Sequence, residues 1–140
     1  MGSSVDGILR APSSKRIRGI MQKKLPGSPF GKSVRARLWI EGSRSGFLGI
    51  GKVSLLEAIA EKGSISQAAK AIGMSYKRAW QLVEDMNALE DTPLVITETG
   101  GVHGGGTRLT ERGLKAIETY HRLEKEFELF IQNSSQSFDI

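Results

Sequence analysis

The chain has no cysteine among its 140 residues. That absence excludes a disulfide framework, a thiolate zinc site and a thiol nucleophile together. No apolar run approaches the roughly 18 residues that a membrane-spanning helix needs. What remains, 39% hydrophobic and 25% charged residues, is typical of one ordinary intracellular domain with a single core. We therefore expect a cytoplasmic protein without a membrane partner.

The chain also lacks the constellations on which enzymes depend. It shows no pairing of a nucleophile with a base, no cluster with metal-ligand spacing and no cofactor motif. The glycine loop at residues 100–106 lacks the Gly-Lys-Ser/Thr ending of a phosphate-binding loop. His103 and His121 have no ligand spacing with each other or with carboxylates. We expect no enzyme, no metal site and no cofactor.

Excess positive charge is missing from most of the chain. The formal net charge is +5, but residues 1–33 hold seven basic residues and one acid, whereas residues 34–140 hold 13 basic and 14 acidic residues. The sequence pI near 9.7 is therefore no evidence that the body of the protein binds nucleic acid. Local patterning has to decide that question.

Residues 1–33 are rich in glycine, serine, proline and basic residues and have no apolar periodicity. Such a segment cannot bury enough surface to offset the entropy of ordering, so we predict that it is disordered. Its composition is like that of an organelle transit peptide, and Met21 offers an alternative start. A leader, a cloning remnant and a basic arm for DNA all stay open.

The body begins with strict alternation of apolar and polar residues over 34–41, which predicts a half-buried strand. Residues 42–51 contain four glycines and two serines and predict a turn and linker. Apolar residues at helical spacing begin at Val53 and predict a first helix that ends at Gly63.

Two capped helices follow and resemble a helix-turn-helix in size and spacing. Ser64 is a natural N-cap for a short helix over 65–72, and Ser75 caps a longer helix from Tyr76 to about residue 90. Gly73 lies where the chain must turn sharply. The second helix of such a motif enters the DNA major groove.

A hairpin with a flexible tip comes next and predicts the wing of a winged helix. Residues 94–99 and 107–109 have strand character. The tip between them is dominated by glycine, and we assign to the wing Gly100, Gly101, His103, Gly104, Gly105 and Gly106.

The longer helix separates its charges along its length. A helical wheel puts Ala79, Leu82, Val83, Met86 and Glu90 on the core side. On the opposite side the basic residues lie at the amino end, and Glu84 and Asp85 come later. Because phosphates repel carboxylates, the amino end should meet DNA. We predict further DNA contacts at the start of the short helix and on the wing. The full set of predicted DNA contacts is Ser64, Ser66, Gln67, Ser75, Tyr76, Lys77, Arg78, Gln81 and Arg108. Trp80 fits either packing or DNA.

A fourth helix, capped by Thr110 and continuing to about residue 132, carries an apolar stripe longer than one small domain needs. The stripe can pack on its own domain or on a second copy; we predict a dimer, because its aromatic end is otherwise exposed. The predicted interface is Leu114, Ile117, Tyr120, Leu123, Phe127, Phe130 and Ile131. Two-fold symmetry would place the recognition helices about 34–36 Å apart, one DNA turn.

Several stretches in the same order resemble the N-terminal DNA-binding domain of the ModE family of molybdate-responsive regulators. They are residues 63–70 (GSISQAAK), 75–80 (SYKRAW), Met86-Asn87, 99–106 (TGGVHGGG) and 109–110 (LT). The likeness covers roughly residues 34–130 and extends more distantly to the LysR-type winged helix. It implies a winged helix-turn-helix dimer with residues 75–78 at the start of the recognition helix. Members carry molybdate-binding domains after the dimer helix, for which 140 residues leave no room, so we expect no molybdate binding by this chain; its effector stays unknown.

Together these observations predict a mainly α fold with a small β-hairpin. Its parts are a basic segment at 1–33, a winged helix-turn-helix at 34–110, a dimerisation helix at 111–132 and a flexible tail at 133–140. The expected function is sequence-specific binding of double-stranded DNA by a homodimeric transcriptional regulator. The alternative is a winged-helix module that binds another protein, which the near-neutral body would suit.

Overall fold

The computed structural model describes residues 27–29, 34–98 and 106–134. The predictions for residues 1–26 and 30–33, for the wing positions Gly100, Gly101, His103, Gly104 and Gly105, and for residues 135–140 lie outside these ranges. The described strands are β1 Ser28–Pro29, β2 Arg35–Ala36, β3 Ile40–Glu41, β4 Phe47–Leu48, β5 Val95–Thr97 and β6 Thr107–Leu109. The helices are α1 Ile50–Lys62, α2 Ile65–Ala71, α3 Tyr76–Asn87 and α4 Glu111–Ser134.

The chain forms two compact units. The larger is Trp39–Glu118 and contains α1, α2, α3 and the hairpin β5–β6. The described residues of the smaller unit are 27–29, 34–38 and 119–134. The division falls inside α4, whose first eight residues belong to the larger unit.

The core of the larger unit is formed largely by the inner faces of α1 and α3. Val53, Leu55, Leu56 and Ile59 of α1 are fully buried, as is Met86 of α3. The predicted end of α1 is confirmed: Gly63 has φ 70°, and its N–H donates to the Ile59 carbonyl. The predicted linker over 42–51 is wrong, because β4 and the first residues of α1 lie within it.

The helix-turn-helix is confirmed. Ile65, Ala68 and Ala69 of α2 are buried, and the small side chains of the two alanines let α2 approach its neighbours closely. Gly73 adopts φ 69° in the turn, where the Met74 N–H donates to the Ala69 carbonyl at 2.8 Å. The chain thus reverses in a few residues and starts α3 at Tyr76.

Helix α3 ends earlier than predicted, at Asn87. Ala79, Leu82, Val83 and Met86 are buried as expected, but the placement of Glu90 on the core side is wrong. Glu90 lies beyond the helix end, where its carboxylate accepts hydrogen bonds from the Ser43 N–H at 3.1 Å and the Ser43 hydroxyl at 2.5 Å. Arg112 lies 3.5 Å from the same carboxylate.

The predicted wing hairpin is confirmed in its strands. β5 and β6 are antiparallel, with Val95 opposite Leu109 and Thr97 opposite Thr107. With the three helices before it and α4 after it, this hairpin completes a winged helix-turn-helix, which is the expected fold class.

The single strand predicted over 34–41 is wrong. Side-chain exposure does alternate along it, but the segment splits into two short strands: β2 pairs with β1, and β3 pairs with β4. The reason is the turn after Glu41, where the Gly42 N–H donates to the Gly46 carbonyl at 3.0 Å. This turn folds β4 back onto β3 and ties Ile40 to a hairpin of its own.

Helix α4 begins as predicted after Thr110, whose hydroxyl accepts from the Gly113 N–H at 3.0 Å. A glycine is needed there, because a Cβ on Gly113 would lie 2.3 Å from the Leu94 carbonyl oxygen. In the smaller unit the Tyr120 side chain is buried, and its hydroxyl donates to the Leu38 carbonyl at 3.0 Å.

Candidate nucleic-acid interface

The two serines predicted to cap the helices do so. The Ser64 hydroxyl accepts from the Gln67 N–H at 3.2 Å, and the Ser75 hydroxyl accepts from the Arg78 N–H at 3.1 Å. A hydroxyl that caps a helix still has its own proton to donate. Both residues can therefore donate to a phosphate without giving up their structural bond, and the exposed Ser66 and Gln67 lie beside the first of them.

The amino end of α3 presents free cations. Lys77 and Arg78 are exposed, and among the described residues no carboxylate lies within 4 Å of either charge. Gln81, one turn later, is also exposed, and its side-chain amide donates to Asp85 at 3.2 Å. The helix surface therefore changes from cationic to acidic along its axis, as the sequence predicted.

Tyr76 and Trp80 form an aromatic pair on the same helix. Their rings meet edge to face, with centroids 6.2 Å apart. Tyr76 is exposed and Trp80 half-buried, so Trp80 packs and at the same time supports the ring that faces solvent. The packing alternative for Trp80 is confirmed in part, and its contact with DNA stays a prediction.

Lys52 on α1 is a cation that sequence reasoning missed. Its side chain is buried; the ammonium donates to the Phe47 carbonyl at 2.7 Å and lies 4.3 Å from the centre of the Phe47 ring. Burial lowers the pKa of Lys52, the charge of Asp85 raises it and that of Arg78 lowers it further. In the sequence, the burial of Lys52 is indicated only by its position immediately before the apolar run of α1.

The wing strand β6 is attached to the corner between α1 and α2. The Thr107 N–H donates to the Gly63 carbonyl at 3.0 Å, and Thr107 itself is buried. Gly106, the described residue of the wing tip, is exposed. The hydrogen bond places β6 beside the corner from which α2 starts.

Arg108 is exposed on β6 but, unlike Lys77 and Arg78, it has an acidic partner. Its Nε lies 2.9 Å from Oε1 of Glu98, the residue just after β5. The sequence predicted Arg108 as a DNA contact, and it gave no sign that Glu98 would be its partner. Their pairing depends on the register of the hairpin, in which Arg108 stands opposite Ile96.

The residues predicted for a dimer interface do not share one face of α4. Ile117, Tyr120 and Ile131 are buried within the single chain, Leu123 and Phe127 are half-buried, and Leu114 and Phe130 are exposed. At 3.6 residues per turn, Leu114 and Phe130 lie about 160° apart around the axis. On one side of the helix, the exposed Phe130 and the half-buried Leu123 and Phe127 form an apolar strip, in which the centroids of the two stacked phenylalanine rings lie 6.4 Å apart.

The described residues contain no group of three or more histidine, cysteine, aspartate or glutamate side chains that could hold a metal ion. His121 is buried with its Nδ1 3.1 Å from Glu124. No described helix is long and apolar enough to cross a membrane.

One family profile matches the part of the chain that carries this surface. The profile described as "Bacterial regulatory helix-turn-helix protein, lysR family" matches residues 50–114, the span from the start of α1 into α4. The match therefore contains both helices of the helix-turn-helix and both strands of the wing.

Three similar proteins illustrate the relationship. The "DNA-binding transcriptional dual regulator ModE" of Escherichia coli (strain K12) is 43% identical over 89 residues, 64% of this chain and 31% of its own length. The "Molybdenum transport protein ModE" of Azotobacter vinelandii is 42% identical over 85 residues, 61% of this chain and 32% of its own. The "Molybdenum-pterin-binding protein MopB" of Rhodobacter capsulatus is 40% identical over 93 residues, 66% and 34% respectively. The matched region spans about a third of the length of these relatives.

Proposed function

We propose that this chain, whose residues 50–114 form a LysR-type helix-turn-helix domain, is a sequence-specific DNA-binding transcriptional regulator of the ModE type. The observation that carries the proposal is the amino end of α3. There Lys77 and Arg78 are exposed without an acidic partner among the described residues, directly after the capped turn of the helix-turn-helix. A transcriptional regulator is not an enzyme, and this one would act where the DNA is, in the cytoplasm.

The chemistry of the surface suits duplex DNA. Lysine and arginine pair with phosphate or with guanine O6 and N7, and glutamine reads adenine. The serine hydroxyls at the start of α2 and α3 can donate to a phosphate. Acidic residues at the far end of α3 would repel the DNA backbone there, which orients the helix with its amino end inward.

The proposal includes a homodimer on a two-fold operator. Its support is the strip Leu123, Phe127 and Phe130 on α4, in which the Phe130 ring is exposed to solvent and the other two side chains are half-buried. A second copy with the same strip would cover it, and a two-fold axis would present two α3 helices to successive major grooves. The names of the relatives mention molybdenum for those proteins only; we confine the proposal for this chain to DNA.

A selection from a randomised duplex pool by the full chain tests the proposal. We expect enrichment of a defined sequence and binding that weakens steeply with salt. The double variant Lys77→Ala/Arg78→Ala should lose about 1–3 kcal/mol for each base contact, and for each phosphate contact its salt slope should fall by about 1.

The control variant is Lys115→Ala/Lys125→Ala, which removes two exposed positive charges from α4. It should retain the selected sequence and nearly all of the affinity. A wild-type chain that enriches no sequence and shows no salt-dependent binding would refute the proposal and favour a module that binds protein.

A further inference from the structure

The ion pair on the wing uses one donor of the Arg108 guanidinium group, its Nε. Glu98 and Arg108 are both about 60% exposed, and the contact at 2.9 Å is made by Nε of the guanidinium. Nε lies on the side of the guanidinium group, whereas the two terminal amino groups form its outer end. A carboxylate bound at the side leaves that outer end available to a second acceptor.

Backbone hydrogen bonds fix the position of Glu98 relative to Arg108. The Glu98 N–H donates to the Gly106 carbonyl at 2.8 Å, which adds a hydrogen bond just beyond the ladder of β5 and β6. Thr107 ties the same strand to Gly63 at the start of α2. Glu98 and Arg108 thus stand on backbone that is hydrogen-bonded both within the hairpin and to the corner before α2.

We infer that Glu98 is a positioning residue: it holds Arg108 with the outer end of its guanidinium directed at a DNA phosphate. This inference rests on the proposed function and deepens it. An arginine whose orientation is set in advance loses less side-chain freedom when it binds, and its paired terminal donors match the geometry of phosphate oxygens.

Glu98 also has an effect that opposes DNA binding, because its carboxylate repels the phosphate. With the guanidinium between them, the two anions would be about 7 Å apart, since each hydrogen bond spans about 2.8 Å. That distance is just short of the Debye length of about 8 Å at physiological salt, so salt screens the repulsion in part. Both side chains face water, whose high dielectric constant weakens what remains. Salt does not reduce the conformational entropy that a long arginine side chain loses on binding. The gain from positioning Arg108 should therefore exceed the repulsion between Glu98 and the phosphate.

The test measures the affinity of the full chain for a duplex from the selection described above. Glu98→Ala should weaken binding about two- to fivefold, the range of an exposed ion pair. Glu98→Gln, which keeps an acceptor for Nε, should restore affinity to within about twofold of the wild type. Arg108→Ala should weaken binding at least as much as Glu98→Ala, with a salt slope smaller by about 0.9.

The decisive variant is Glu98→Ala in the Arg108→Ala background, where the loss due to Glu98 should disappear. Asp91→Ala is the matched control, because it removes a carboxylate from another exposed arginine, Arg44, at 3.4 Å; it should leave affinity within about twofold. Tighter or unchanged binding by Glu98→Ala would overturn the inference, as would an equal loss with or without Arg108. A wild-type chain that binds no duplex would instead refute the proposed function itself.

Discussion

The side chain of Asn87 and the backbone of Val95 bond to each other in both directions. The Asn87 amide donates to the Val95 carbonyl at 3.0 Å, and its oxygen accepts from the Val95 N–H at 2.9 Å. The same oxygen accepts from the Leu94 N–H at 2.9 Å. One amide at the end of α3 thus completes the hydrogen bonding of the first residues of the wing.

Replacing Asn87 should therefore destabilise the fold. Asn87→Ala leaves two N–H groups and a carbonyl without partners in a part-buried site, and we expect a loss of about 1–3 kcal/mol in the free energy of unfolding. Urea denaturation followed by circular dichroism measures it. Asn133→Ala, at an exposed position near the end of α4, should change stability little; equal losses in both variants would contradict the role given to Asn87.

Two helical glycines should respond in opposite directions to alanine. A Cβ on Gly113 would lie 2.3 Å from the Leu94 carbonyl oxygen, whereas a Cβ on Gly51 meets nothing within 4 Å. Gly113→Ala must push α4 away from Leu94 and should cost about 1–3 kcal/mol. Gly51→Ala should stabilise by about 0.5–1 kcal/mol through helix propensity. Thermal unfolding of the two variants, compared with wild type, would refute this contrast if both changes had the same sign.

Acid should weaken the fold through Glu90. Hydrogen bonds from Ser43, together with the charge of Arg112, lower the pKa of Glu90 from its usual 4.5. A carboxyl whose pKa is lowered by folding contributes stability above pH 4.5, and this is lost as pH falls through the lower folded value.

We therefore expect the stability difference between wild type and Glu90→Gln to shrink as the pH is lowered below 4.5. Urea midpoints measured across that range give the difference, and Ser43→Ala should reduce it. The exposed Glu84→Gln change removes the same charge without the Ser43 bonds. A difference independent of pH, or one equally large for Glu84→Gln, would show that Ser43 does not act on Glu90 in this way.

The strip on α4 predicts which substitution affects assembly. Phe130 is 62% exposed and Leu114 is 54% exposed, so each can be changed without opening a core. If copies pair through Leu123, Phe127 and Phe130, Phe130→Ser should shift light scattering from dimer towards monomer at micromolar concentration, while Leu114→Ser, on the other side of the helix, should not. Loss of the dimer with Leu114→Ser alone would place the interface elsewhere.

Local sequence signals predicted the helix-turn-helix well. Ser64, Ser75 and Gly63 act within a few residues of themselves, through capping hydroxyls and a left-handed backbone. Their effect can be read without knowing the rest of the fold. The same holds for the amino end of α3, whose exposed Lys77 and Arg78 follow from the helical period.

What the sequence could not predict depends on partners distant in the chain. The pairing of Arg108 with Glu98 needs the hairpin register, and the bonds between Ser43 and Glu90 join residues 47 positions apart. The alternation over residues 34–41 indicated the right exposure, but it could not show that the two ends of the segment pair with different strands, β1 and β4. The sequence also did not show that Leu114 and Phe130 both lie off the side of α4 that the buried residues share; the dimer interface itself stays a prediction.

The two strands of the wing are each anchored to the helix-turn-helix, β5 through Asn87 and β6 through the bond from Thr107 to Gly63. One anchor lies at the carboxyl end of α3 and the other at the corner before α2. A hairpin held at both points has little freedom to swing, so the spacing between wing and recognition helix is set when the domain folds. Under the proposed function, DNA of a different groove shape would have to deform to fit this fixed spacing, which would allow discrimination at base pairs that no side chain contacts.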